Sequence, residues 1–229
     1  MTCERFHKRS HPCPTLKRIA ESTVRRLSLY LRYLEEAEAE GTPTISSDEL
    51  AKLGGTTSAQ VRKDLSFFGS FGKRGLGYPV PELADHLREI LGLGREWKVV
   101  IVGAGKIGAA LATFRGFQNR GFRVVAAYDT NPDKIGRRLE GVIVRDMHDL
   151  EHDVAREHPD IALLTIPGEE AQSVVDRLVA AGIKAILSFA PAQLHVPDQV
   201  ALKEVNMAME LEGLSFALTN PGIRSADED

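Results

Sequence analysis

The chain has 229 residues, 43% hydrophobic and 27% charged, enough for two small domains of an ordinary globular protein. No apolar run reaches membrane-span length and the N-terminus lacks an apolar signal core, so a cytoplasmic location is expected. The net charge of −3 hides an asymmetry: residues 1–80 carry 13 Lys and Arg against 9 Asp and Glu (+4), leaving 16 against 23 (−7) for residues 81–229. A basic front suits a polyanion, which the acidic remainder would repel except where backbone amides face a phosphate.

Residues 1–14 contain Cys3, His7, His11 and Cys13. The spacing matches no common zinc finger and nothing nearby could bury a site, so this stretch reads as a disordered tail without metal. Two cysteines in one polar tail also exclude a disulfide framework.

A winged-helix domain is expected over residues 15–80. Its first helix carries Val24, Leu27, Leu31 and Leu34 at three- and four-residue steps and ends at Gly41. Ser46 with Glu49 forms a capping-box signature for a short second helix carrying Leu50 and Leu53. Thr56 to Ser58 cap a third helix running to about Phe68. With Val61 at its buried centre, Leu65 and Phe68 fall within about 40°, while Ala59, Arg62, Lys63 and Ser66 project oppositely and Gln60 flanks. Small residues, cations and an amide are the side chains that reach phosphates and base edges in a major groove. The stretch Gly69 to Tyr78 then reads as a β-hairpin whose Lys73-Arg74 tip can enter a minor groove. Candidate duplex contacts are therefore Ser58, Gln60, Arg62, Lys63, Ser66, Lys73 and Arg74.

Pro79 and Pro81 suggest a boundary, followed by a linker helix over residues 81–96 with Leu83, Leu87 and Ile90 on one side. From residue 97 to 205 strands and helices alternate, the pattern of a Rossmann-type α/β domain with a doubly wound parallel sheet. Val99 to Val102 reads as a strand buried on both faces, followed by G-x-G-x-x-G spacing in Gly103-Ala104-Gly105-Lys106-Ile107-Gly108. In such a loop the first glycine permits the turn, the second lets a pyrophosphate approach the backbone, and the third lets the helix lie on the strand. A second strand, Arg123 to Tyr128, ends in Asp129, placed to offer a carboxylate to a ribose diol. An acid there disfavours the extra phosphate of NADP(H), so the cofactor reads as NAD(H). Further strands are expected near Val142 to Val144, Ile161 to Thr165 and Ala185 to Ser188, with helices near Leu150 to Glu157 and Glu169 to Ala181. Thr165, Ile166, Pro167 and Ser188 lie at strand ends that could wall the nicotinamide side, although the prolines also fit as turn punctuation.

Residues 206–220 form a terminal helix with Met207, Leu211, Leu214 and Leu218 on one stripe, which needs a partner surface in its own domain or a second subunit. Residues 221–229 are an acidic tail. No catalytic constellation is readable: His86, His148, His152, His158 and His195 lie on polar faces or in turns. The residues thus favour a regulator over an NAD-dependent oxidoreductase or a coenzyme A-binding ligase-type domain with a basic accessory module.

Gln60 to Tyr78 (QVRKDLSFFGSFGKRGLGY), the Gly103 to Gly108 loop, Tyr128-Asp129, Leu163 to Pro167 and Leu187 to Pro191 resemble the recognition helix, wing and cofactor motifs of the Rex family of redox-sensing transcriptional repressors. The resemblance implies a homodimer held partly by exchange of the C-terminal helix. It would bind a palindromic operator when NAD⁺ dominates and release it on binding NADH. It also implies a switch in which an arginine exchanges a tyrosine for an aspartate. Here the arginine matches Arg32, but the other two positions hold Phe114 and Asn206. Phe114 offers no hydroxyl and Asn206 replaces a charge-assisted bond with a neutral one, so a weakened or lost redox response is the alternative reading.

Overall fold

The computed structural model describes residues 19–72 and 75–220. The tail with Cys3, His7, His11 and Cys13, the Lys73-Arg74 tip and the acidic end at 221–229 lie outside the described residues. The chain divides into two compact units, the boundary falling between Leu91 and Gly92.

The first unit runs α1 (Glu21–Ala39), β1 (Thr44–Ile45), α2 (Ser47–Leu53), α3 (Ser58–Ser66), β2 (Tyr78–Pro79) and α4 (Val80–Ile90). Leu27, Tyr30, Leu31 and Leu34 of α1 are buried with Leu50, Val61, Leu65, Leu83 and Leu87. Val24, expected on the apolar stripe, is exposed, and Thr23 is buried in its stead because it bonds to a buried carboxylate. The capping box at Ser46 and Glu49 forms in both directions. The expected hairpin is different: β2 pairs antiparallel with β1, Ile45 opposite Tyr78, so the wing closes against the segment before α2. Gly77, at φ +76°, makes this approach possible, since a Cβ there would lie 2.6 Å from the Ile45 carbonyl oxygen.

The expected linker helix is also corrected. α4 begins at Val80, accommodates Pro81 in its first turn, where no helical N–H is required, and packs along α1. Arg88 bonds to Asp85 on α4 and reaches Glu38 on α1, so this helix belongs to the first unit.

The second unit comprises β3 (Trp97–Val102), α5 (Lys106–Ala112), α6 (Arg115–Gln118), β4 (Phe122–Asp129), β5 (Arg138–Leu139), β6 (Val142–Asp146), α7 (Leu150–Glu157), β7 (Ile161–Leu164), α8 (Gly168–Ala180), β8 (Ala185–Ser188), β9 (Ala201–Glu204) and α9 (Met207–Thr219). The seven strands lie in the order β5-β6-β4-β3-β7-β8-β9, all parallel except β5. Val100 and Val102 of β3 face a core with Tyr128, Leu150, Leu164 and Leu178, while Val99 and Ile101 face Ala112, Val144 and Leu163. The order reverses at β3, with β4 on one side and β7 on the other, and such a switch point opens a crevice beyond the carboxyl ends of the strands. Among the described residues no helix is long and apolar enough to cross a membrane.

Candidate dinucleotide and duplex-binding sites

The glycine loop tests its fingerprint residue by residue. Gly103 has φ +99°, and a Cβ there would lie 2.6 Å from the Thr165 carbonyl oxygen. At Gly108 a Cβ would lie 1.9 Å from the Gly103 carbonyl oxygen, so only glycine lets α5 rest on the turn. At Gly105 a Cβ meets nothing within 4 Å. Two glycines are thus required by the fold, and the middle one borders open space, as close approach of a phosphate to the backbone requires. The Thr165 hydroxyl donates to the Gly103 carbonyl at 2.7 Å, tying the end of β7 to the loop.

Asp129, 8% exposed, is engaged by the fold through both of its oxygens. Its Oδ2 accepts from the Ala104 N–H and from the Lys134 ammonium, each at 2.8 Å, and its Oδ1 accepts from the Asn131 N–H at 2.8 Å. Burial alone would raise this carboxyl, but Lys134 and the two backbone donors overrule it and hold it below the usual carboxylate range. The carboxylate braces the glycine loop, so the Ala104 amide is already spent.

A cleft of about 630 Å³, in the size range of small-molecule sites, brings Gly103, Gly105, Asp129, Thr165, Ile166 and Pro167 together. Lys134, Glu169 and Glu170 join the same lining, none of which the fingerprint singles out. Lys106 and Ile107 start α5 as exposed residues outside this lining, and Gly108 is buried beneath it. Ser188 corrects the expectation: it is fully buried, and its Oγ accepts the Ala190 N–H at 3.2 Å instead of facing the cleft. A short hydroxyl side chain at a strand end readily turns back to satisfy local backbone in this way.

In the first unit, α3 presents Arg62, Lys63 and Ser66 to solvent. Arg62 Nη1 donates to Ser47 Oγ at 2.7 Å, and both line a groove of about 850 Å³ with Ser46, Ser66, Phe71 and Tyr78. Ser58 is half-buried in the first turn. Gln60 turns inward: its Nε2 donates to Asp64 Oδ1 at 2.7 Å and is committed to the fold. Asp64, fully buried on the recognition helix, also accepts from Arg26 Nε at 2.7 Å, Arg26 Nη2 at 2.8 Å and the Tyr30 hydroxyl at 3.1 Å. Burial would raise its carboxyl, but the bonds from Arg26, Gln60 and Tyr30 keep it low. This anchor was missed because its cation lies 38 residues away on another helix.

Of the switch positions, Arg32 is exposed on α1 with no side-chain partner among the described residues. Phe114 is exposed and meets Phe117 edge to face at 5.1 Å. Asn206 caps α9, its Oδ1 accepting the N–H groups of Ala208 and Met209. No cluster of three or more metal-ligating residues occurs among the described residues.

A cationic recognition helix with a wing, joined in one chain to a parallel sheet with a nucleotide-type glycine loop, defines a winged-helix transcription regulator with a dinucleotide domain. Residues 18–66 match the family described as "Putative DNA-binding protein N-terminus", and residues 94–192 match the CoA binding domain family. The redox-sensing transcriptional repressor Rex of Carboxydothermus hydrogenoformans is 47% identical, with 87% of this chain and 96% of that protein covered. That of Thermus thermophilus is 48% identical, with 89% and 96% covered. The crystal structure of RSP in complex with beta-NAD+ and operator DNA matches with a TM-score of 0.86 at 41% identity over 90% of this chain and 94% of that one. The complex of RSP with beta-NADH matches with a TM-score of 0.81 at 40% identity over 90% and 96%. The chain belongs to the Rex family of redox-sensing transcriptional repressors, a family of regulators and not of enzymes.

Proposed function

We propose that the protein is a cytoplasmic homodimeric repressor that grips operator DNA when NAD⁺ dominates and lets go on binding NADH. Arg62, Lys63 and Ser66, with Ser58 at the start of the helix, are assigned to the duplex through α3, and Lys73 and Arg74 through the wing. The Gly103 to Gly108 loop, Asp129 and the Thr165 to Pro167 wall are assigned to NAD(H). The observation that carries the reading is the division of labour among the three glycines, two demanded by packing and the third facing open space beside a carboxylate. Its relatives' names point the same way: RSP was crystallised with beta-NAD+ and operator DNA and with beta-NADH.

The dimer is assigned to α9. Met207, Leu211, Leu214 and Leu218 form one stripe, while Met209 and Phe216 lie off it, and all six are exposed. A helix apolar on opposite sides belongs inside a protein interior. An apolar groove of about 330 Å³ on the sheet, lined by Val99, Phe122, Leu163, Leu187 and Leu202, offers the partner's helix a seat.

A second reading, a repressor with a blunted response, is favoured by Phe114, which has no hydroxyl, and by Asn206, whose side chain is engaged as a helix cap. Operator binding measured against the NADH/NAD⁺ ratio separates the two. Release across a narrow span of ratio supports the full switch. Binding indifferent to the ratio supports the second reading.

A further inference from the structure

His86, which the sequence places on a polar helix face, touches the wing. It lies on the exposed side of α4, and its Nδ1 donates to the Glu82 carbonyl one turn back at 2.6 Å, the only direction that bond can run because a carbonyl has no proton to give. The bond fixes how the imidazole stands on the helix. So held, the ring meets Phe71 at 71°, the two centroids 5.3 Å apart, in the edge-to-face arrangement that aromatic pairs prefer.

The two limbs of the wing are secured differently. The returning limb joins the small sheet through Tyr78, opposite Ile45. On the outgoing limb, Phe71 alone of residues 69–72 is not exposed. The limbs meet at a neck, where a Cβ on Gly72 would collide with the Gly77 carbonyl oxygen. Past the neck, a Cβ on Gly75 would meet nothing within 4 Å and Leu76 is 69% exposed. The contact between Phe71 and His86 is therefore the side-chain anchor of the outgoing limb, and Lys73 follows Phe71 by two residues. We propose that His86 is a positioning residue for operator binding: its imidazole holds Phe71 and thereby sets the direction in which the chain leaves the neck, so that less freedom is lost when the Lys73-Arg74 tip meets the duplex. Freedom removed before binding does not have to be removed by it, which raises affinity without any new contact to the ligand. The inference rests on the assignment of the wing to the duplex and adds the group on α4 that aims it.

The test is a double-mutant cycle on operator affinity, read by fluorescence titration of the full chain at several salt concentrations, with His86→Ala, His86→Phe, the pair Lys73→Ala and Arg74→Ala, and that pair combined with His86→Ala. His86→Ala is expected to bind about two- to tenfold more weakly for each subunit engaged, the worth of one aromatic pair, with the salt slope unchanged because no cation that meets a phosphate is removed. His86→Phe keeps a ring against Phe71 and should retain the natural affinity. In the background lacking Lys73 and Arg74, His86→Ala should have no further effect, since no tip is left to aim. An equal loss in both backgrounds overturns the proposal and marks His86 as a general prop of the first unit. A lowered salt slope in His86→Ala also overturns it, placing the imidazole itself on a phosphate, as does a His86→Phe variant as weak as the alanine. If removing Lys73 and Arg74 lowers the slope by about two units per subunit while His86→Ala binds as the natural protein does, this inference alone falls. If removing them changes neither affinity nor slope, the assignment of the wing falls, and this inference with it.

Discussion

Arg62 and Lys63 are neighbours on α3 held in different ways, Arg62 bonded to Ser47 and Lys63 exposed. Lys63→Ala is expected to weaken operator binding across sequences and to reduce the slope of log affinity against log salt by about one unit, as one phosphate contact would. Electrophoretic or fluorescence titrations at several salt concentrations check this. Similar residue-level reasoning separates two glycines that look alike in the sequence. Gly105→Val should fold normally yet abolish NADH binding in calorimetry, because the added side chain enters open space that the phosphates need. Gly108→Val should instead lower the melting temperature sharply, its Cβ colliding with the Gly103 carbonyl. The loop was legible from spacing alone, as was Asp129. That Asp129 braces the Ala104 amide was not, because it depends on how far the β4 end stands from the turn. Gln60 was misread for a related reason: helical geometry puts it on the flank, but only the fold shows that Asp64, one turn on, is buried and draws it inward.

At the scale of elements, the Asp64 cluster fastens α3 to α1 through Arg26, Thr23 and Tyr30. Its folded carboxyl sits below the unfolded value of about 3.9, so its contribution is fully present above that pH and fades as pH falls through the folded value. Asp64→Asn is expected to cost about 1.5–3 kcal/mol at neutral pH, the range for hydrogen bonds to a charged group, and to flatten the acid branch of the stability curve. Denaturant unfolding between pH 3 and pH 7 reads both. Most helices and the central strands were legible because each is a long apolar period. β5 and β9 were not: Arg138-Leu139 is two residues long, and Ala201 to Glu204 is a mostly exposed edge whose Lys203 and Glu204 suit an edge but break the apolar pattern. The boundary was placed too early because Pro81 reads as a breaker, whereas in the first turn of α4 it costs no hydrogen bond.

For the whole molecule, the proposed switch has to move a population. Turning 99:1 into 1:99 requires NADH to favour one state by about 5.5 kcal/mol, so every state-specific bond missing from the mechanism narrows the response. Restoring the family's residues with Phe114→Tyr and Asn206→Asp together is expected to sharpen NADH-driven release from operator, read in the same ratio titration. Asn206→Asp alone keeps the α9 cap, since aspartate caps as well as asparagine. Removing α9 is expected to leave monomers in sedimentation equilibrium. The architecture was legible in the sequence because charge, fingerprint and helical period all agreed; which oxygens and amides were already committed was not. Six large apolar side chains left bare on α9 also carry a consequence for the life of the protein. A newly made copy is adhesive until it finds a mate, so dilution inside a growing cell, as much as the redox balance, would set how many competent repressors survive chaperones and proteases.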